Sequence, residues 1–115
     1  MELYCYKATI DRVIDGDTVD ATINVGFDTT VKKTLRLLRV DTAELRSSDV
    51  QEKTLAYSAK DFVTEKVLGK RVTIKTIKHD SFGRWLAEVY YQENDKTLCL
   101  SDVLLAEGLA EEFRS

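Results

Sequence analysis

The sequence predicts an α+β domain, a β-barrel with helices, and three observations carry this prediction. Three β-prone stretches joined by turn residues occupy the first third of the chain. A stretch with helical apolar spacing follows, and two more β-prone stretches come after it. The chain has 115 residues, of which 43% are hydrophobic, which suffices for one core but not for two. We therefore expect a single domain over residues 1–115.

The first three strands are predicted from alternating apolar residues and from the turns between them. Asp15-Gly16-Asp17 supplies the first turn, and Gly26 with Asp28 marks the second. The expected strands are Leu3–Val13, Thr18–Val25 and Val31–Val40.

The central helix is predicted from capping residues and a single apolar stripe. Two overlapping capping boxes pair Ser48 with Gln51 and Asp49 with Glu52. Gly69 stands where a C-terminal capping glycine is expected. The stripe consists of Leu55, Ala59, Phe62, Val63 and Val67.

Two further strands and a short helix complete the predicted order. The strands are Arg71–Ile77 and Trp85–Tyr91, and the helix, capped by Ser101 or Asp102, runs to Glu107 before Gly108. The order β-β-β-α-β-β, with a helix between strands 3 and 4 and a short C-terminal helix, is that of the OB-fold, a five-stranded Greek-key barrel. An SH3-like barrel would lack the long central helix. Such a fold commonly binds oligonucleotides, but a fold alone does not establish a function.

The net charge and its distribution along the chain limit the kinds of partner that the protein can bind. The formal net charge is −3, which argues against nucleic acid as a partner, yet residues 32–84 contain 13 Lys and Arg against 7 Asp and Glu. That imbalance allows one cationic face, although uneven scatter of solvated charges explains it equally well.

No apolar run approaches the ~20 residues of a membrane-spanning helix. The N-terminus lacks the features of a secretory signal, so a cytoplasmic protein is expected unless a leader has been removed. Cys5 and Cys99 are expected to be reduced and mostly buried, with a single disulfide left open.

Acidic residues near the predicted strand ends suggest a site for a hard cation. Asp17 and Asp41, with the carbonyl of Thr42, would provide part of an oxygen shell. Carboxylates without histidine or cysteine suit Ca²⁺ or Mg²⁺ better than zinc.

Two arginines and a third carboxylate complete a possible hydrolytic site. Arg36 and Arg84 could each bind phosphate oxygens in a bidentate manner, and Glu44 could act as general base. Together with a metal, these groups fit hydrolysis of a phosphodiester. Each residue also has a plain structural explanation, since Asp15-Gly16-Asp17 is a good turn, a lone arginine in a strand is usually solvated, and Glu44 could simply begin a loop.

Three blocks of sequence resemble the signature blocks of the staphylococcal nuclease (thermonuclease) family. They are Ile14–Val19, Leu35–Glu44 and Phe82–Ala87, and they come in the family's order. The second block, Arg-x-x-x-x-Asp-Thr-x-Glu, is the most specific. A further stretch, Ala106–Ala110, resembles the end of a later helix in that family.

The resemblance implies one Ca²⁺ ion, rather than Mg²⁺, bound by Asp17, Asp41 and the Thr42 carbonyl. It makes Arg36 and Arg84 the phosphate-binding pair and Glu44 the residue that activates water. It also implies cleavage of DNA or RNA with little sequence preference, leaving 3′-phosphate ends. We expect single-stranded or frayed substrates, no membrane, and a monomer or weak homodimer. The rival interpretation is a non-catalytic OB-type module that binds nucleic acid or protein.

Overall fold

Eight strands and two helices make up the described part of the chain. The computed structural model describes residues 4–44, 48–79 and 83–113, with the backbone alone for residues 77–79. The strands are β1 (Tyr4–Asp15), β2 (Thr18–Gly26), β3 (Thr29–Leu37), β4 (Val40–Asp41), β5 (Arg71–His79), β6 (Trp85–Glu93), β7 (Lys96–Cys99) and β8 (Glu111–Glu112). The helices are α1 (Val50–Val67) and α2 (Leu100–Ala106). Within these described residues, neither helix is long and apolar enough to cross a membrane.

Five strands form a closed ring. The order β3-β2-β1-β5-β6 is antiparallel throughout, and a parallel pairing of β3 with β6 closes it. The helix α1 lies in sequence between the third and fourth strands of this ring. This arrangement confirms the OB-fold prediction. Strand β7, which the sequence did not predict, pairs with the C-terminal half of β6, beyond the residues of β6 that pair with β3. Strand β8 pairs with β4 in a separate small sheet.

Apolar side chains alternate with outward-facing ones along the strands of the ring, and the inward ones form one hydrophobic core inside the ring. Inward positions of the strands are apolar and nearly inaccessible to solvent, while their neighbours face outward, because successive strand residues point to opposite faces. The inward side chains include Ile10, Val19, Ile23, Leu35, Leu37, Ile74 and Val89. Helix residues Val63 and Leu104 pack into the same cluster, so both helices cover the ring.

Helix α1 begins and ends where its caps were predicted, but its buried face differs from the predicted one. The Asp49 carboxylate accepts hydrogen bonds from the N–H groups of Gln51 and Glu52, and Gly69 adopts a left-handed φ of 72°. Leu55, predicted in the apolar stripe, is half exposed, and Ala56 is buried instead. The buried residues of the helix are Ala56, Ala59, Val63 and Val67.

The third strand is shorter than predicted because the chain bends at Arg39. The sequence predicted one strand over residues 31–40, whereas β3 ends at Leu37 and β4 begins at Val40. Arg39 takes a left-handed φ of 70°. Its guanidinium binds Glu88 in β6 at 2.7 Å and Asp102 in α2 at 2.8 Å, so contacts distant in sequence stabilise the bend.

The predicted cap of α2 is wrong. The helix starts at Leu100, and its N-cap residue, Cys99, makes no side-chain capping bond. Ser101 is instead buried and donates a hydrogen bond to the carbonyl oxygen of Leu38. Its hydroxyl therefore links α2 to the bend after β3.

The two cysteines are free, as expected, but their surroundings differ. Cys5 is exposed, contrary to the prediction of mostly buried thiols, and Cys99 is partly buried. Burial raises the pKa of the Cys99 thiol to about 11, and the thiol donates to a Glu88 carboxylate oxygen. At neutral pH Cys99 is therefore a protonated thiol of low reactivity.

Candidate functional site

A single cleft of about 540 Å³ opens where β1, β2, β3 and the segment after β4 meet. All six residues singled out from the sequence line it, together with four neighbours. The six are Asp17, Arg36, Asp41, Thr42, Glu44 and Arg84. The neighbours are Ile14, Asp15, Thr18 and Ala43. Ile14 and Arg84, which are 70 positions apart in sequence, thus share one concave surface.

The turn between β1 and β2 presents Asp17 to the cleft from a fixed backbone position. The carbonyl oxygen of Asp17 accepts the N–H of Leu37 at 2.9 Å, which ties the turn to β3. Thr18 stands opposite Arg36 in the β2–β3 register, so Arg36 lies next to Asp17. The Asp17 side chain is almost fully buried.

Arg36 is the centre of the hydrogen-bond network in this cleft. Its Nη1 donates to the carbonyl oxygens of Leu37, at 2.8 Å, and Val40, at 2.7 Å. Its Nη2 lies 3.4 Å from an Asp17 oxygen and 3.2 Å from an Asp41 oxygen. The guanidinium is therefore positioned by the backbone bend on one side and by two carboxylates on the other.

The two aspartates have different environments. Asp17 accepts a hydrogen bond from the Thr18 hydroxyl at 2.9 Å and from the N–H of Thr42 at 3.1 Å. Asp41 is largely exposed, yet its pKa is raised from the usual value. Partial burial is the main cause, opposed by the charge of Arg36 and reinforced by the nearby charge of Asp17.

Glu44 and Arg84 complete the cleft from two other segments. Glu44 is exposed three residues after Asp41, on the coil that leads towards α1. Arg84 is partly buried and directly precedes β6, after Gly83, whose φ of 81° is left-handed. The parallel pairing of β3 with β6 brings the segment of Arg84 alongside that of Arg36. Neither placement follows from the spacing of these residues in sequence.

The donor atoms of the cleft fit a hard cation that would complete its shell with water and substrate. Asp17 and Asp41 are close enough for one nitrogen of Arg36 to contact both carboxylates, and their mutual repulsion is what a divalent cation would relieve. Buried Thr42 Oγ1 has no hydrogen-bond partner among the described residues. No group of three or more His, Cys, Asp or Glu side chains able to bind a metal occurs in the ranges that the structure describes. A cation here would therefore have only part of its shell from protein.

Two residues of the site were missed by sequence reasoning. Thr18, whose hydroxyl orients Asp17, stands next to it in the turn motif and could have been included on that ground. The ring of Phe113 lies 5.7 Å from the guanidinium carbon of Arg36. This contact depends on the β4–β8 pairing and on a bond from the N–H of Phe113 to the Arg39 carbonyl, which no local pattern indicates.

Gly16 is required by close packing beside the site. A Cβ atom at this position would lie 2.7 Å from Cβ of Ala59 and 3.0 Å from Cγ2 of Thr42. We expect Gly16→Ala to lower the free energy of unfolding by about 1–3 kcal/mol through overpacking, measured by urea denaturation. Ala59→Gly removes the nearest atom at a cost of about 1 kcal/mol in helix propensity.

The double variant Gly16→Ala/Ala59→Gly tests the origin of this effect. It should lose less stability than the sum of the two single variants, because the clash between the two Cβ atoms is absent. Strict additivity of the two losses would show that the contact with α1 does not set the requirement for glycine.

Comparison with known proteins is consistent with these observations. A family model described as "Staphylococcal nuclease homologue" matches residues 34–115, a range that includes Arg36, Asp41, Glu44 and Arg84 but not Asp17. An uncharacterized protein of Bacillus anthracis is 34% identical over 87 residues, which cover 73% of this chain and 38% of that protein. The SPbeta prophage-derived endonuclease YokF of Bacillus subtilis (strain 168) is 31% identical over 105 residues, which cover 89% of this chain and 32% of that protein. The chain thus spans less than two fifths of the length of each of these relatives.

Proposed function

Because this chain belongs to the staphylococcal nuclease homologue family, we propose that it hydrolyses phosphodiester bonds of DNA or RNA in the cleft. The observation that carries the proposal is the convergence of two aspartates, two arginines and an exposed glutamate on one concave surface. A relative named as an endonuclease supports it. Exposed carboxylates such as Asp41 and Glu44 would repel the phosphates of a nucleic acid that was only bound, which favours hydrolysis over binding alone.

We further propose that the cleft binds one Ca²⁺ ion through Asp17, Asp41 and the carbonyl oxygen of Thr42. The bound ion would supply a Lewis acid next to the scissile phosphate. Asp17 is prepared for such a role, since bonds from Thr18 and Thr42 already orient its carboxylate. These bonds restrict the rotation of the carboxylate before a cation binds.

Arg36 and Arg84 would stabilise the negative charge that grows on the phosphate in the transition state. Arg36 is well suited to this, because Leu37 and Val40 fix its guanidinium through their carbonyl oxygens. Fixed positive charge requires no rearrangement at the moment of reaction, which is the main source of electrostatic catalysis. Arg84 reaches the same cleft from β6, so the phosphate would lie between the two side chains.

Glu44 would take a proton from the attacking water. Its exposed carboxylate lines the cleft and is accessible to solvent, as a general base for water must be. The oxygen of this water forms a new bond to phosphorus and the bond from phosphorus to the 5′ oxygen breaks. The 5′ oxygen takes a proton from solvent water and leaves as a hydroxyl group. The phosphate remains on the 3′ side of the cut. The proposed products therefore carry 3′-phosphate and 5′-hydroxyl ends.

An assay with an end-labelled single-stranded oligonucleotide tests this function. We expect cleavage in Ca²⁺, slower cleavage in Mg²⁺ and none in EDTA, with products whose 3′ ends are substrates for a phosphatase. Asp41→Asn, purified in parallel, should be much less active at the same Ca²⁺ concentration, which excludes a contaminating nuclease. Binding that persists in EDTA, without any cleavage in Ca²⁺, would instead identify a non-catalytic binding module.

A further inference from the structure

A second groove, of about 850 Å³, crosses the outward face of strands β1, β5, β6 and β7 and shares no lining residue with the cleft. We call it the cationic groove. The lining residues that matter for its chemistry are Lys7, Arg71, Lys75, Tyr90, Gln92 and Thr97. Three of these six are cations, none of the lining residues is a carboxylate, and the chain as a whole has a net charge of −3. The lining of the groove is therefore positively charged, although the chain as a whole carries a net negative charge.

Strand register explains how these side chains come to lie together. Arg71, Thr73 and Lys75 alternate on one face of β5, because side chains two apart in a strand point the same way. Lys7 of β1 stands opposite Thr73, and Tyr90 of β6 stands opposite Thr73 on the other side. Lys7, Thr73 and Tyr90 thus form one row of side chains across β1, β5 and β6. Arg71 and Lys75 lie on the two sides of this row along β5.

Contacts within the groove hold its polar groups in place. The Lys7 ammonium donates to the Thr73 hydroxyl at 2.8 Å, and the Lys75 ammonium lies 5.0 Å from the centre of the Tyr90 ring. Gln92 donates to the Thr97 hydroxyl. The charged ends of the lysines are therefore presented along the groove at defined positions rather than spread into solvent.

A carboxylate next to this row, that of Glu88, is paired outside the groove. Glu88 stands opposite Lys75 in the β5–β6 register. Both of its oxygens bind Arg39, at 2.7 and 3.3 Å, and its Oε2 also accepts from the Cys99 thiol. Arg39 compensates this charge only in part, because it also pairs with Asp102. At Tyr90 the charge of Glu88 acts more strongly than that of Arg39, so Glu88 lowers the positive potential at this end of the groove. The three cations of the lining nevertheless outnumber it.

We propose that the cationic groove binds single-stranded nucleic acid, with phosphates on Lys7, Arg71 and Lys75 and a base stacked against Tyr90. A groove that combines cations with an aromatic ring is the usual way to bind single strands without sequence preference. An acidic peptide would use the cations but would gain nothing from stacking on the ring. The aromatic residue therefore favours nucleic acid.

The proposal that the groove extends the substrate path rests on the proposed nuclease function. The proposal that the groove binds single-stranded nucleic acid does not. It would retain a long strand while the cleft cuts it. Binding can be measured in EDTA, where the proposed hydrolysis does not occur. Cleavage of a dinucleotide, which is too short to need the groove, reports on the cleft alone.

The salt dependence of binding tests the three cations. We measure the fluorescence anisotropy of a labelled oligothymidylate of about 16 nucleotides in EDTA over a range of salt concentrations. Lys7→Gln/Arg71→Gln/Lys75→Gln should weaken binding and reduce the slope of log K against log salt by about 2, since each contact with a single strand contributes about 0.7. The charge-matched control Lys32→Gln/Lys33→Gln/Lys53→Gln changes three exposed lysines elsewhere and should reduce the slope by less than about 1. Equal effects of the two triple variants would overturn the proposal.

Substitution of Tyr90 tests the stacked base. Tyr90→Leu should weaken binding at least about fivefold, whereas Tyr90→Phe, which keeps the ring, should bind like the parent chain. Circular dichroism of each variant establishes that it is folded. Unchanged affinity of a folded Tyr90→Leu variant, or displacement of the oligonucleotide by polyglutamate as readily as by unlabelled oligothymidylate, would overturn the assignment to nucleic acid. If no variant cleaves a dinucleotide in Ca²⁺, the proposed hydrolysis is wrong while the binding result stands.

Discussion

Glu44→Gln is expected to lower the rate of hydrolysis at saturating substrate by about 10²- to 10⁴-fold, the usual contribution of a general base. Glutamine keeps the size of the side chain but cannot accept a proton from water. Because Glu44 is exposed, its substitution should leave the fold intact. The variant should therefore bind an oligonucleotide in Ca²⁺ as tightly as the parent chain while cutting it far more slowly.

The matched control for this variant is Glu107→Gln, an equally exposed glutamate at the C-terminal end of α2. It makes the same change in charge outside the cleft and should leave the rate unchanged. A Glu44→Gln rate within about threefold of the parent chain would remove Glu44 from the proposed role, because a base that contributes so little is not activating water.

Arg84→Ala is expected to reduce turnover by about 10²- to 10³-fold with a smaller change in KM, as found when one donor to a transition-state oxyanion is removed. The reason is that charge on the phosphate grows as the new bond forms, so the arginine interacts more strongly with the transition state than with the substrate. Arg84→Lys should recover only part of the loss, since an ammonium group cannot donate two parallel hydrogen bonds.

Arg12→Ala provides the comparison for Arg84→Ala. Arg12 is a highly exposed arginine in β1 that pairs with Asp20 outside the cleft, so its loss should leave kcat unchanged. If Arg84→Ala raised KM alone and kept the parent rate at saturation, Arg84 would bind the substrate without stabilising the transition state.

Local sequence predicted the elements whose signals are complete within a few residues. The cap at Asp49, the left-handed glycine after α1 and the turn at Asp15–Asp17 all depend on bonds or backbone angles within one turn of chain. These elements were correctly located because no distant contact competes with them.

Errors arose where a distant contact decided the outcome. Ser101 has the composition of a helix cap, but its hydroxyl bonds Leu38 from inside α2. The bend at Arg39 divides a stretch that alternates like one strand, because Glu88 and Asp102 bind its guanidinium. The apolar period of α1 is compatible with burial of either Leu55 or Ala56, and in the folded chain Ala56 is the buried one.

The chemistry of the cleft was available from residue types, while its geometry was not. From the sequence alone, the order of the five ring strands and the two helices could be predicted, as could the presence of oxygen donors and arginines in three separate blocks. These blocks meet only in the folded chain, through the parallel pairing of β3 with β6 and the hydrogen bond from the N–H of Leu37 to the carbonyl oxygen of Asp17. The tertiary structure also decided that Arg36 lies between the two aspartates and that Lys7, Lys75 and Tyr90 share one groove. Side-chain periodicity depends on near neighbours in the chain. Ring closure depends on hydrogen bonds between residues about fifty positions apart, and a local sequence pattern does not indicate such long-range bonds.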